Sequence, residues 1–198
     1  FSPYVRGLIL KYGADWRKQW EAETRRRLAD WRINTAAAWS GSMGIPYVNF
    51  AAGWGDTPRI PTRDGYLNVP DVFDPAFERA VEANSGGAAK ARDDPYLIGW
   101  FTANEMGWYG DWQNGMNLVS CIHAAPEELA AKAAWVDFLA ATYESIEALN
   151  AAWGTDWEGF DALRKNREKL PNKPGARKDA SAFLDVFADR YFRLTSEA

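Results

Sequence analysis

LIGWFTANEMGWY, residues 97–109, decides how this chain is read. It opens as an apolar run, Leu97-Ile98-Gly99-Trp100-Phe101, with the length and lack of alternation of a strand buried on both faces. It then meets Asn104-Glu105 and, three residues on, Trp108-Tyr109. A buried strand that delivers an amide and a carboxylate to its end, among indoles, has the pattern of a site. In α/β folds such sites are built at the carboxyl ends of parallel strands.

Two earlier segments repeat the arrangement. Ile33 to Ser40 reads as a strand closed at Gly41, and Pro46 to Ala52 reads as a second strand closed at Gly53. The first presents Asn34, Thr35, Trp39 and Ser40, the second Asn49 and Trp54. Convergence of three polar and aromatic strand ends on one rim is more specific than any one of them. Residues 14–31 carry Trp16, Trp20, Leu28 and Trp31 at helical spacing. Asp74-Pro75 is an N-cap followed by proline at the first helical position. Further helices are expected from Pro126 to about Ala141, from about Ser145 to Ala152, and from Ala180 with Asp179 as its cap. Residues 165–178 read as a basic surface loop. Alternation of strands and helices gives an α/β class with a parallel sheet. Three strands cannot close a barrel, so open sheet edges and exposed apolar faces are expected.

Composition narrows the chemistry. The chain has 198 residues, 47% hydrophobic and 25% charged, with a formal net charge of −4, which gives no basis for binding nucleic acid. Arg25-Arg26-Arg27, interleaved with Glu21 and Glu23, reads as a solvated helix face. No apolar stretch reaches the roughly 20 residues of a membrane-spanning helix. A single cysteine, Cys121, excludes an intrachain disulfide and cysteine-rich zinc sites. His123 is the single histidine; on a strand it would share a face with Cys121, but a structural histidine is the simpler reading. No metal-ligand spacing stands out, and no cofactor is called for. Eleven tryptophans are the outlier: indoles serve cores, and they also stack on the apolar faces of sugar rings.

Glu105 is the sharpest candidate. Its place between a strand end and Met106 and Trp108 predicts partial desolvation, the condition under which a carboxyl group keeps a proton and acts as a general acid. Asn104 can hydrogen-bond a substrate hydroxyl. Asp111 is a further carboxylate near the rim, and Asp156 reads as the cap of a short helix.

A strand with Asn-Glu at its carboxyl end resembles the fourth strand of clan A glycoside hydrolases. Asp94-Pro95-Tyr96-Leu97-Ile98-Gly99-Trp100-Phe101 with Asn104-Glu105 resembles the pattern of β-agarases and their β-galactosidase-like relatives. So do Leu28 to Thr35 with Trp39-Ser40, and Leu149-Asn150-Ala151-Ala152-Trp153-Gly154-Thr155. The sequence departs at Arg32, where glycine is usual, and at Ala103, where the agarases often have Asp. The resemblance implies a partial (β/α)8 TIM barrel, about strands two to four with their helices and a helical insertion, so that residues 1–198 are a fragment of one catalytic barrel. It implies retaining hydrolysis of a β-galactoside-type polysaccharide or oligosaccharide. Glu105 is then the acid/base, Asn104 the ligand of the sugar 2-hydroxyl, Asn34 a support of the rim, and Trp39, Trp54 and Trp108 stacking platforms. The partner of this chain is a carbohydrate, with no nucleic acid and no membrane, and the parent protein is expected to be secreted or periplasmic. The family's nucleophile, a glutamate on the seventh strand, is expected outside these residues, leaving the fragment alone inactive. Two readings compete: a carbohydrate-binding or decayed barrel without chemistry, and an unrelated hydrolase built on His123.

Overall fold

The computed structural model describes residues 2–51, 54–61, 69–110 and 117–197, in two compact units. The first unit comprises residues 1–51 and 87–102, the second 52–86 and 103–198. The elements in chain order are α1 (Pro3–Tyr12), a 3₁₀ turn (Gly13–Asp15), α2 (Trp16–Asp30), β1 (Tyr47–Phe50), α3 (Pro75–Lys90), β2 (Leu97–Phe101), α4 (Leu118–His123), α5 (Ala130–Tyr143), α6 (Ile146–Trp153), α7 (Phe160–Lys165) and α8 (Pro174–Glu197).

The first unit holds the sheet. β1 and β2 pair in parallel, with Val48 opposite Gly99 and Phe50 opposite Phe101. The strand expected at 33–40 shrinks to one parallel bridge, Ala36 to Tyr47, held by Ala36 N–H to Pro46 O at 2.8 Å and Val48 N–H to Ala36 O at 3.2 Å. The Asp-Pro ahead of β2 has a local purpose. The Asp94 carboxylate accepts the Tyr96 N–H at 2.9 Å and the Tyr47 hydroxyl at 2.9 Å, which turns the chain into β2 and ties it to the start of β1. Apolar side chains of β2 stay uncovered: Ile98 is 60% and Phe101 40% exposed.

α2 lies where its periodicity puts it, but no residue of it is buried. Its basic run is a solvated face: Arg26 reaches Glu23 at 2.8 Å and Asp30 at 2.6 Å, and Arg27 reaches Glu23 at 3.2 Å. The hydrogen bond from Arg26 and the nearby positive charges hold the Glu23 carboxyl down at about 2. The helix ends in a Schellman motif. The Ile33 N–H bonds Leu28 O at 2.8 Å and the Arg32 N–H bonds Ala29 O at 3.0 Å, with Arg32 at φ +59°. That left-handed backbone is why glycine suits this position.

The second unit is helical, and its core is aromatic. α3 begins as read from the sequence: Asp74 Oδ1 accepts the Ala76 N–H at 2.7 Å. It runs through Gly86-Gly87 to Lys90 and buries Phe77 and Val81. α5 starts at Ala130, four residues later than expected, and α6 starts on its Ser145 cap and ends at Gly154, φ +65°. α4 was not foreseen, and the short helix expected after Asp156 is α7. Asp156 is exposed and caps neither neighbour, since the N-cap of α7 is Gly159.

The largest correction is α8. It begins at Pro174 rather than Ala180, so Asp179 lies inside the helix and is 5% exposed. Its Oδ2 accepts the Tyr143 hydroxyl at 2.6 Å and the Trp153 Nε1–H at 2.7 Å, bonding α8 to α5 and α6. Burial, together with that carboxylate, pushes the Tyr143 hydroxyl up to about 12. The Leu149–Thr155 motif serves the same junction. Asn150 Oδ1 accepts from Thr155 Oγ1 and the Trp157 N–H, each at 2.9 Å, and locks the turn behind Gly154. A Cβ on Gly175 would stand 2.4 Å from Ala152 O, so the first turn of α8 meets the α6 backbone directly.

Two stability changes follow. Arg32→Gly is expected to raise stability by about 1 kcal/mol in a urea melt, because glycine removes the left-handed penalty. Gly175→Ala is expected to lower it by about 1–3 kcal/mol, since backbone has to shift on one side or the other; an unchanged midpoint would refute the close contact.

Candidate functional site

The sequence-derived site residues fall in both units. Asn34 and Trp39 lie in the first; Trp54, Asn104, Glu105 and Trp108 lie in the second. Asp111, and the end of the second expected strand at residues 52–53, lie outside the described residues.

In the first unit, Trp39 is 68% exposed and joins two strand residues in an aromatic triad. Its ring centroid lies 5.1 Å from Phe50, edge-on, and 6.3 Å from Phe101, while Phe50 and Phe101 are 5.8 Å apart. Phe50 and Phe101 are register partners at the ends of β1 and β2, so the sheet itself positions this surface. An indole with this exposure offers an open stacking face. Asn34 is exposed and accepts from the Thr35 hydroxyl at 3.0 Å. Asn49 accepts the Phe50 N–H at 2.8 Å, which commits its carbonyl oxygen to local backbone.

In the second unit, Glu105 differs from expectation. It is exposed, as is Asn104, so the described residues do not desolvate it. Its neighbours Met106 and Gly107 turn inward instead, and Met106 joins the core. The backbone at Glu105 is left-handed, φ +48°, which is uncommon for a non-glycine residue and recurs at functional sites. Trp108 and Trp54 are less open than Trp39. Both are half-buried and pack against the core on one side. Trp108 meets Tyr191 edge-on at 5.7 Å, Phe187 edge-on at 6.1 Å and Phe192 stacked at 5.9 Å. Trp54 meets Tyr191 edge-on at 6.1 Å. Tyr191 of α8 is thus the support that both indoles share.

No protein-family model matches the chain. It is 32% identical over 212 residues to beta-agarase B of Vibrio sp. (strain JT0107), covering 97% of this chain and 22% of that protein. It is 28% identical over 219 residues to beta-agarase A of the same strain, covering 100% of this chain and 22% of that protein. The chain therefore spans about a fifth of the length of the curated relatives it matches. The crystal structure of an agarase, AgWH50C, superposes with a TM-score of 0.80 at 26% identity, over 94% of this chain and 28% of that one. An exo-beta-agarase shares the fold with a TM-score of 0.80 at 22% identity, over 98% of this chain and 28% of that one. PfGH50B shares it with a TM-score of 0.83 at 21% identity, over 98% of this chain and 30% of that one. The resemblance read from residues 94–105 is thereby supported at the level of glycoside hydrolases, on its agarase side.

His123 takes the structural reading. It is fully buried on α4, a helix and not a strand, as is Cys121 beside it. Its Nδ1 accepts the Trp135 Nε1–H at 3.1 Å, and its ring packs among Trp135, Trp153 and Trp157. Lys132, also fully buried, was missed: nothing in the helical pattern of α5 separates it from a surface lysine. Its Nζ donates to His123 O and, at 3.2 Å, to Asn166 O. Burial pushes the Lys132 ammonium down to about 8. Burial, with the Lys132 charge beside it, pushes His123 down to about 3. Among the described residues no group of three or more His, Cys, Asp or Glu side chains stands where it could hold a metal ion, and no helix is long and apolar enough to cross a membrane.

The His123 shift sets a pH dependence. The folded state keeps the imidazole neutral from its ordinary 6.5 down to about 3, whereas the unfolded chain binds a proton across that window. Stability is full above pH 6.5 and falls as pH drops toward 3, on the order of a few kcal/mol in total. His123→Asn, whose amide oxygen can still accept from Trp135, is expected to flatten this part of a stability–pH curve. Parallel curves for the two proteins would reject the assignment.

Proposed function

We propose that this chain supplies the acid/base half of a retaining glycoside hydrolase site that acts on a β-galactoside-type, agarose-like polysaccharide or oligosaccharide. The reading is carried by the likeness to beta-agarases over 97% of the chain, with Asn104-Glu105 following directly on β2. The parallel pairing of β1 with β2, and the bridge from Ala36, suit successive strands two to four of a (β/α)8 barrel.

Glu105 protonates the leaving glycosidic oxygen and afterwards takes a proton from the attacking water. Asn104 binds the sugar 2-hydroxyl, and the exposed face of Trp39 stacks on a ring of the saccharide. In the second unit Trp54 and Trp108, held from behind by Tyr191, flank the sugar contact, and in the first unit Asn34 is a further polar contact. Because Glu105 is exposed, the bound sugar supplies the apolar cover that a proton donor needs. A retaining mechanism needs a second carboxylate about 5–5.5 Å from Glu105, acting as nucleophile. It comes from outside residues 1–198, so this chain by itself does not turn over. No cofactor takes part.

The test is kinetic and uses the full-length protein with agaro-oligosaccharides. Glu105→Gln is expected to lower kcat by about 10²–10⁴-fold with the fold intact, because the side chain is exposed. An unchanged kcat would exclude Glu105 as the acid/base. Oligosaccharide binding without turnover by the unmodified protein would favour a binding role instead.

A further inference from the structure

The segment from Trp54 to Ile60 holds an arrangement that the acid/base chemistry does not use. It is pinned at its far end, where the Ile60 N–H bonds Val69 O at 2.9 Å and the Asp71 N–H bonds Pro58 O at 2.8 Å. Ile60, Val69 and Val72 are core residues, so this short antiparallel contact is firm. Along the segment stand three polar atoms that are buried and have no hydrogen-bond partner among the described residues: Trp54 Nε1, Thr57 Oγ1 and Arg59 Nη1. Two of them lie close in space. The Arg59 guanidinium lies 5.4 Å from the centroid of the Trp54 ring, and its Nη2 donates to Gly55 O at 3.0 Å. Thr57, 5% exposed, sits midway between them in the chain.

An indole N–H and a guanidinium can only donate, and a hydroxyl can donate as well. One of the three groups carries a full positive charge. Among the described residues no acid of the same stretch hydrogen-bonds it, and Asp56 acts on it through its charge alone. Asp71 accepts the Phe73 N–H at 3.0 Å and the Ala131 N–H at 2.9 Å, and Asp74 accepts the Ala76 N–H at 2.7 Å. Asp56 is exposed and makes no ion pair with Arg59 among the described residues. Burial lowers the Arg59 pKa, against a smaller opposing effect of the Asp56 charge. Donors of this kind fit an acceptor-only group that is negatively charged and has several oxygens.

We propose that Trp54, Thr57 and Arg59 form an oxyanion-binding subsite, which takes a sulfate ester or carboxylate carried by the saccharide. The subsite rests on the carbohydrate reading above. Its support is that of the Asn104-Glu105 segment: Trp54 packs on Tyr191, the ring that also holds Trp108.

The test uses the full-length protein and follows tryptophan indole N–H resonances, with Trp54 assigned through Trp54→Phe. Sodium sulfate is titrated at constant ionic strength against chloride. Neutral and singly sulfated galacto-oligosaccharides of equal length follow. The Trp54 resonance is expected to move with sulfate, and the sulfated sugar to bind at least tenfold more tightly than the neutral one. Arg59→Met and Thr57→Val should each reduce that preference, and Arg59→Lys, which keeps the charge, should retain part of it. The Trp135 resonance reports whether each variant is folded. A Trp54 resonance that ignores sulfate, with equal affinity for both sugars, would overturn the subsite. It would leave the glycosidase reading intact wherever the neutral sugar binds. A response to free sulfate without preference for the sulfated sugar would overturn its assignment to substrate. Failure of both sugars to bind would tell against the carbohydrate reading, and with it the substrate assignment.

Discussion

The second unit depends on one buried carboxylate. Asp179 has lost its water and is stabilised by two short hydrogen bonds, from the Tyr143 hydroxyl and the Trp153 indole. Each donor comes from a different helix, so the carboxylate sets α5 and α6 against α8. The close approach at Gly175 and the Asn150 lock behind Gly154 hold the same junction from its other end. Removing either donor would leave a buried charge half-satisfied, which costs more than one ordinary hydrogen bond.

With α8 fixed, its aromatic face becomes a platform. Phe183, Phe187 and Tyr191 are buried, and Phe73, Trp54 and Trp108 pack onto them. The loop carrying Asn104-Glu105 and the segment carrying Arg59 therefore stand on one rigid helix. The tryptophans divide by task. Trp135 and Trp153 are core, Trp54 and Trp108 pack on the core while staying partly exposed, and Trp39 is mostly exposed.

Local signals were legible and distant ones were not. Asp74-Pro75 and Ser145 with Gly154 mark helix ends because capping needs only residues within one turn. β1 and β2 were legible as apolar runs, and Asn104-Glu105 as their polar outlet. The start of α8 was misread because Pro171, Pro174 and Gly175 look like a turn, although proline also suits the first turn of a helix. Asp179 then resembled a cap, since its partners lie 36 and 26 residues away. Lys132 was invisible for the same reason: its carbonyl acceptors, on His123 and Asn166, come from other parts of the chain.

The sequence by itself determined the parallel strand pair, most of the helices, the acidic and aromatic character, and the placing of Asn104-Glu105 at a strand end. These follow from periodicity, capping and short motifs, which act over a few residues. Tertiary structure decided which polar groups are buried, which indoles stay open, and that Glu105 is exposed on a left-handed turn. It also decided that Trp54, Thr57 and Arg59 each hold a buried donor without an acceptor among the described residues. Burial and hydrogen-bond satisfaction depend on groups brought together from distant segments, so no local pattern of residues encodes them.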